Sequence, residues 1–175
     1  IKDPTFLLNK NTNTNLVIQD YFSAKVFKES KYGNKKAKVI TCISCFYDIE
    51  NNNKFLQDIY DVLDDDGLFV LQFSYTPLMI KQLAFDNLCH EHCYYYSLVN
   101  LKKIFERNNF TIMDCVLNDV NAGSARIYLM KNSGNKKYFS TQPFRDVAQF
   151  RVDSLLEYEK TLQLDSAEKC DNFKI

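Results

Sequence analysis

Apolar residues recur along this chain with two different periods, and the switches between them mark its elements. Residues 37–46, AKVITCISCF, form a continuous apolar run rich in Val and Ile, the pattern of a strand buried on both faces. In the stretch that follows (51–67, NNNKFLQDIYDVLDDDG), Phe55, Leu56, Ile59, Val62 and Leu63 fall at helical spacing. Asn residues open that helix and Gly67 closes it, which makes Asp64, Asp65 and Asp66 a solvated helix end. LFVLQF (68–73) is a second buried strand. Strand, helix and strand with short joints predict a right-handed parallel crossover in an α/β sheet.

The pattern extends in both directions. NLVIQDYF (15–22) predicts an earlier strand, and residues 23–32 a short helix ending before Gly33. Ser97 can cap a helix running to about Asn108, with Leu98, Leu101, Ile104 and Phe105 on one face. FTIMDCVLNDV (110–120) and SARIYLMKN (124–132) are separated by Asn121, Ala122 and Gly123, which predicts an antiparallel hairpin. From Pro143 onward, Phe144, Val147, Ala148, Val152, Leu155, Leu156 and Leu162 recur at helical spacing among charges. This amphipathic helix has no evident partner in the sequence; it either lies on the sheet or opens a further domain.

Composition narrows the classes. With 175 residues, 46% of them hydrophobic, the chain can bury a real core. Net charge is zero and the lysines are dispersed, so a nucleic-acid partner has little electrostatic support. No apolar run approaches the roughly 20 residues of a membrane span, and the first residues do not resemble a secretory signal. Cys42, Cys45 and Cys115 lie within strand-like apolar runs, where a reduced thiol acts as a small hydrophobe. A reducing, cytoplasmic setting is expected.

The chemistry is concentrated in DNLCHEHCYYYS (86–97), which holds both histidines of the chain. An imidazole titrates near neutrality and can serve as a base, and an adjacent carboxylate can fix its tautomer or share its proton. His90, Glu91 and His92 supply these groups in three residues, just past the carboxyl end of a parallel strand, where open α/β sheets bind ligands. Two other readings stand beside this one. The stretch can be a polar loop whose histidines are merely satisfied by hydrogen bonds. Alternatively Cys89, His90, His92 and Cys93 can hold zinc, although four ligands within five residues wrap poorly around a tetrahedral ion. Cys42 and Cys45, three apart on a strand, point to opposite faces and so do not complete such a site.

The order of elements is that of the second half of a doubly wound, Rossmann-like sheet, and class I methyltransferases end in such a reversed strand pair. FYDIENNNKFLQDIYDVLDDDGLFVLQFSYTPLMI, followed by DNLCHEHCYYYS and the later Gly123-Ser124-Ala125-Arg126, resembles the S-adenosylmethionine-dependent C-methyltransferases of nucleotide-linked keto-sugars. The resemblance implies methyl transfer to a carbon beside a sugar ketone. It implies His92 as base, assisted by Glu91 and neighboured by His90, with Tyr95, Tyr96 and Asn121 toward the substrate. Arg126 either meets a substrate phosphate or stabilises the hairpin. On the donor side it implies Asp3 at the ribose, Asp20 and Tyr21 near the adenine, and Asp48 on the loop facing the methyl group. Residues 1–132 would then be a partial methyltransferase domain lacking its first strand and glycine-rich loop. Residues 133–175 would be a linker and the helical start of a C-terminal region, and any zinc would belong to a region before Ile1. The donor would bind such a piece weakly, so a non-catalytic nucleotide-sugar-binding role is the alternative.

Overall fold

A computed structural model of the protein describes residues 17–134 and 142–171. The chain divides between Lys35 and Lys36 into two compact units. In the first, the Ser23 side chain accepts a hydrogen bond from Val26 N at 3.2 Å and starts α1 (Ala24–Glu29). Of the strand expected at 15–22, residues 15–16 lie outside the described residues, and residues 17–22 join no sheet among the described residues; Tyr21 is 92% exposed. A short apolar run becomes a strand only when a neighbour takes up its N–H and C=O groups. Tyr21 N instead donates to the side chain of Asp20 at 2.7 Å. Asp3 lies outside the described residues.

The second unit opens with the expected crossover. β1 (Ala37–Ile43) leads through α2 (Asn52–Val62) to β2 (Leu63–Ser74), and the two strands pair in parallel up to Ile43 opposite Gln72. The Asn51 side chain accepts from Lys54 N at 3.0 Å and caps α2. The helix stops at Val62, so Asp64, Asp65 and Asp66 are not its solvated end but the start of β2. Three carboxylates would oppose the negative end of a helix. On the strand they find cations: Lys38 reaches Asp64 at 3.2 Å and Asp66 at 2.5 Å, and the buried Lys131 meets Asp65 at 3.0 Å.

After β2 come α3 (Thr76–Lys81), α4 (Leu98–Arg107), β3 (Phe110–Asn118), β4 (Ser124–Lys131) and α5 (Gln142–Asp171). The sheet order is β1-β2-β4-β3, with β4 antiparallel to both neighbours. This is an α/β Rossmann-like sheet whose parallel part ends in the predicted hairpin. One sheet face carries Cys42, Phe69, Leu71, Phe73, Ile127 and Leu129 into a core with Leu56, Leu98, Leu101 and Phe105. On the other face Gln72, Ser74 and Met130 are buried, but the outward side chains of β1 are exposed. β1 is therefore not buried on both sides as its composition predicted; Val39 and Ile43 remain 59% and 48% exposed. Within this unit β1 pairs only with β2, and the helices gather on the face opposite those two side chains.

The C-terminal helix has partners after all. α5 packs against β3 and α4, burying Ala148 and Val152. Arg151 forks onto the buried Asp114 of β3, with Nε to Oδ1 at 2.9 Å. About two turns further along α5, Glu159 is buried against the start of α4, where it accepts from Leu98 N at 2.6 Å and Val99 N at 2.8 Å. Ser97 accepts from Asn100 N at 3.3 Å, so three amides that the first helical turn leaves unpaired all have acceptors. Replacing Ser97 with alanine is expected to cost about 1 kcal/mol, read as a lower urea midpoint at unchanged slope. No described helix is long and apolar enough to cross a membrane.

Candidate active site

Three loops meet at the carboxyl edge of the parallel strands. The first follows β1. Ser44 N still donates to Gln72 O at 2.9 Å, but Ser44 takes φ 53° and turns the chain off the ladder. The next residues form a single tight turn, 46–48. Phe46 anchors it in the core against Phe55, Tyr96 and Phe105, Tyr47 is buried, and Asp48 stays exposed.

The second loop, 82–97, follows α3. A β-turn closed by His92 N to Cys89 O at 3.2 Å presents His90 and Glu91 to solvent and leaves His92 half-buried. Residues 93–96 then run beside the first loop. Tyr94 N donates to Tyr47 O at 3.1 Å, Tyr94 Oη to Glu50 O at 2.9 Å, and Cys93 Sγ to Asp48 O at 3.6 Å. The third loop is the β3–β4 turn, held to the same edge by Tyr75 N donating to Gly123 O at 3.1 Å. Gly123 sits at φ 109° with Leu78 tight against the place a Cβ would occupy, so a larger residue there would push the turn off α3.

This pairing sets the geometry of the histidine. The His92 ring lies on Tyr47 with centroids 4.2 Å apart and planes at 51°, and the Tyr95 ring meets it edge-on at 6.0 Å. Burial raises the Tyr47 phenol above its ordinary range, while side-chain hydrogen bonds with Ser44 and Ser74 pull the other way. Asp48 is also raised, first by desolvation; the charge of His92 opposes that shift and the charge of Glu91 adds to it. Asp48, Glu91 and His92 are thus close enough to feel one another.

Several expected residues fall elsewhere. Tyr96, expected to face the substrate, is a core residue: it is buried, stacked on Tyr94, and its hydroxyl meets Asn52 Nδ2. Its aromatic area is better used in packing against Phe46 and Phe73 than in reaching solvent. Tyr95 is the accessible member of the pair, 39% exposed, with its hydroxyl 3.4 Å from Asn87 O. Arg126 is exposed on the sheet face opposite the core and joins β4 to β2 by donating to Gln72 Oε1 from Nε at 2.9 Å and Nη2 at 2.7 Å. Asn121 is exposed at the rim in a left-handed conformation, φ 53°, that asparagine tolerates. Cys89, His90, His92 and Cys93 do not converge; among the described residues no three His, Cys, Asp or Glu side chains are placed to hold an ion. Tyr47 was missed, because nothing in a lone FYD tripeptide tells that its ring will carry a histidine 45 residues on. A groove lined by Lys102, Phe110, Gln149 and Val152 lies at the opposite, amino end of the sheet and takes no part in this site.

Residues 7–114, more than half of the chain, match the family described as a methyltransferase domain. The chain belongs to that family. This methyltransferase domain is 30% identical over 107 residues to the C-methyltransferase NovU of Streptomyces niveus, covering 61% of this chain and 26% of NovU. The chain therefore spans about a quarter of that relative's length. Similar solved structures include LepI in complex with S-adenosylmethionine, with a TM-score of 0.47 and 10% identity over 55% of this chain and 27% of that one. Magnesium protoporphyrin IX methyltransferase ChlM from Synechocystis PCC 6803 with bound S-adenosylhomocysteine has a TM-score of 0.43 and 16% identity, covering 61% and 56%.

The methyl donor of this family is S-adenosylmethionine. The residues present suit it in one respect: its sulfonium is cationic, and Asp48 offers an exposed carboxylate on the loop after β1. Asp20 and Tyr21, both exposed, belong to the first unit.

Proposed function

We propose that this domain methylates carbon, at a position next to the ketone of a nucleotide-linked sugar, with His92 as the base. The observation that carries the reading is the setting of His92. The ring is half-exposed at the carboxyl edge, fixed from behind by Tyr47, and flanked by the carboxylates of Glu91 and Asp48. A carbon beside a carbonyl becomes a nucleophile when it loses its proton. S-adenosylmethionine, when bound, supplies an electrophilic methyl group on sulfur. His92 takes the proton from the acceptor carbon, and the two carboxylates stabilise the imidazolium that results. Tyr95 can release Asn87 O and offer its hydroxyl to the enolate oxygen, since that bond is long and exposed. Asn121 stands on the same rim for a sugar hydroxyl, and Arg126 keeps its place between β4 and β2. The 30% similarity to a C-methyltransferase supports carbon as the methylated atom.

Deprotonation can be tested apart from transfer. The whole protein, incubated in heavy water with a nucleotide-linked 4-keto sugar and S-adenosylhomocysteine, is expected to exchange deuterium into the position beside the ketone. Addition of S-adenosylmethionine should then put a methyl group on that carbon. Methylation at oxygen or nitrogen, with no exchange at carbon, would overturn the assignment.

A further inference from the structure

The Sγ atoms of Cys42 and Cys45 lie 3.2 Å apart, although the two residues stand three apart in what reads as one strand. The left-handed turn at Ser44 is the cause: it ends the ladder after Ile43 and swings Cys45 back over Cys42. The two thiols differ in access. Cys42 is buried in the core at 4% exposure, whereas Cys45 is exposed at the rim. Cys42, Cys45, Cys89, Cys93 and Cys115 are free, and of these Cys93, which donates to Asp48 O, is exposed like Cys45.

We propose that Cys42 and Cys45 form a redox-active dithiol that hydrogen peroxide closes to an intramolecular disulfide. Cys45 is the attacking sulfur and Cys42 the resolving one. The Cys45 thiolate, its proton given to solvent, attacks one oxygen of hydrogen peroxide; the O–O bond breaks, a sulfenic acid forms, and the other oxygen takes a proton back from solvent and leaves as water. The Cys42 sulfur then attacks the Cys45 sulfur and releases a second water with its own proton. Two thiols and one peroxide give one disulfide and two waters; sulfur is oxidised and oxygen reduced. Hydrogen bonding supports this division of labour. The hydrogen bond it shares with Cys42 lowers the Cys45 thiol to about 7, against the effect of its partial burial. The same bond, together with burial, pushes the Cys42 thiol well above its ordinary range. The thiols need only close from 3.2 Å to the bond length of about 2.05 Å. Cys45 directly precedes the turn that carries Tyr47 and Asp48, so the bond would pin the base of that loop.

The test uses the whole protein. After brief exposure to hydrogen peroxide, free thiols are blocked with N-ethylmaleimide and the protein is digested with trypsin without reduction. The peptide of residues 39–54 contains Cys42 and Cys45 and no other cysteine. It is expected to lose two hydrogens and carry no label, while Cys89, Cys93 and Cys115 are labelled. In Cys45→Ser, Cys42 should stay labelled. In Cys42→Ala, dimedone should trap a sulfenic acid at Cys45. Before oxidation, the rate of Cys45 alkylation by iodoacetamide should rise with pH and be half-maximal near pH 7. Three results would each overturn the proposal: both thiols labelled after peroxide, Cys45 joined to Cys93, or Cys45 carried to sulfinic acid with Cys42 still a thiol.

Discussion

Replacing His92 with alanine in the whole protein is expected to lower kcat for methyl transfer by about 100- to 10,000-fold, the usual contribution of a positioned general base. The fold should survive. The ring is half-exposed and its packing contact is with one face of Tyr47, so the loss of stability should stay near 1 kcal/mol. Two comparisons make the result specific. His90→Ala removes an imidazole that is exposed on the outer side of the turn, and less than a tenfold loss is expected there. Tyr47→Leu keeps bulk but removes the aromatic support and the hydroxyl held by Ser44 and Ser74, so a reduced kcat with little change in KM is expected. Steady-state kinetics of the three variants beside urea unfolding would separate chemistry from folding. Full activity in His92→Ala would remove the base from the mechanism.

Replacing Glu159 with alanine is expected to be the most damaging change to stability, at about 3–4 kcal/mol. The carboxylate is 2% exposed and serves three donors: Leu98 N, Val99 N and the Tyr75 hydroxyl. Truncation leaves two helix amides and a buried phenol unpaired, each worth about 1–3 kcal/mol, partly offset where water enters. Burial and the neighbouring carboxylate push the Tyr75 phenol well above its ordinary range, so it remains a donor at any working pH and cannot escape by ionising. Glu159→Gln retains an acceptor oxygen and should lose less. Urea unfolding of both variants checks the order; equal losses would mean that packing, not hydrogen bonding, holds this contact.

What could be read from the chain follows the range of the forces involved. β1, α2, β2, α4 and the β3–β4 hairpin were legible because Val and Ile runs, helical spacing and a tight turn are local signals. The crowding of both histidines around Glu91 is equally a local signal, and it singled out the loop on which the proposed base stands. The misreadings are non-local. Residues 17–22 carry the apolar pattern of a strand but join no sheet among the described residues. Asp64, Asp65 and Asp66 read as a helix end because the lysines that claim them, Lys38 and Lys131, come from other strands. The last helix finds its partner through its own Glu159, whose carboxylate takes the Val99 amide of α4 across 60 residues, which periodicity cannot foresee. Tyr96 and Cys45 changed roles for a shared reason. The chain bends at Ser44 and pairs at Tyr75 and Tyr96, and no local propensity announces either event.

The strand order β1-β2-β4-β3 has a consequence for biosynthesis. β4 is made last of the four yet lies between β2 and β3, so no nascent chain shorter than Lys131 can close the sheet. While the ribosome is still adding those residues, β2 has an unfilled edge rich in Phe and Leu, which favours chaperone capture and pairing with other copies.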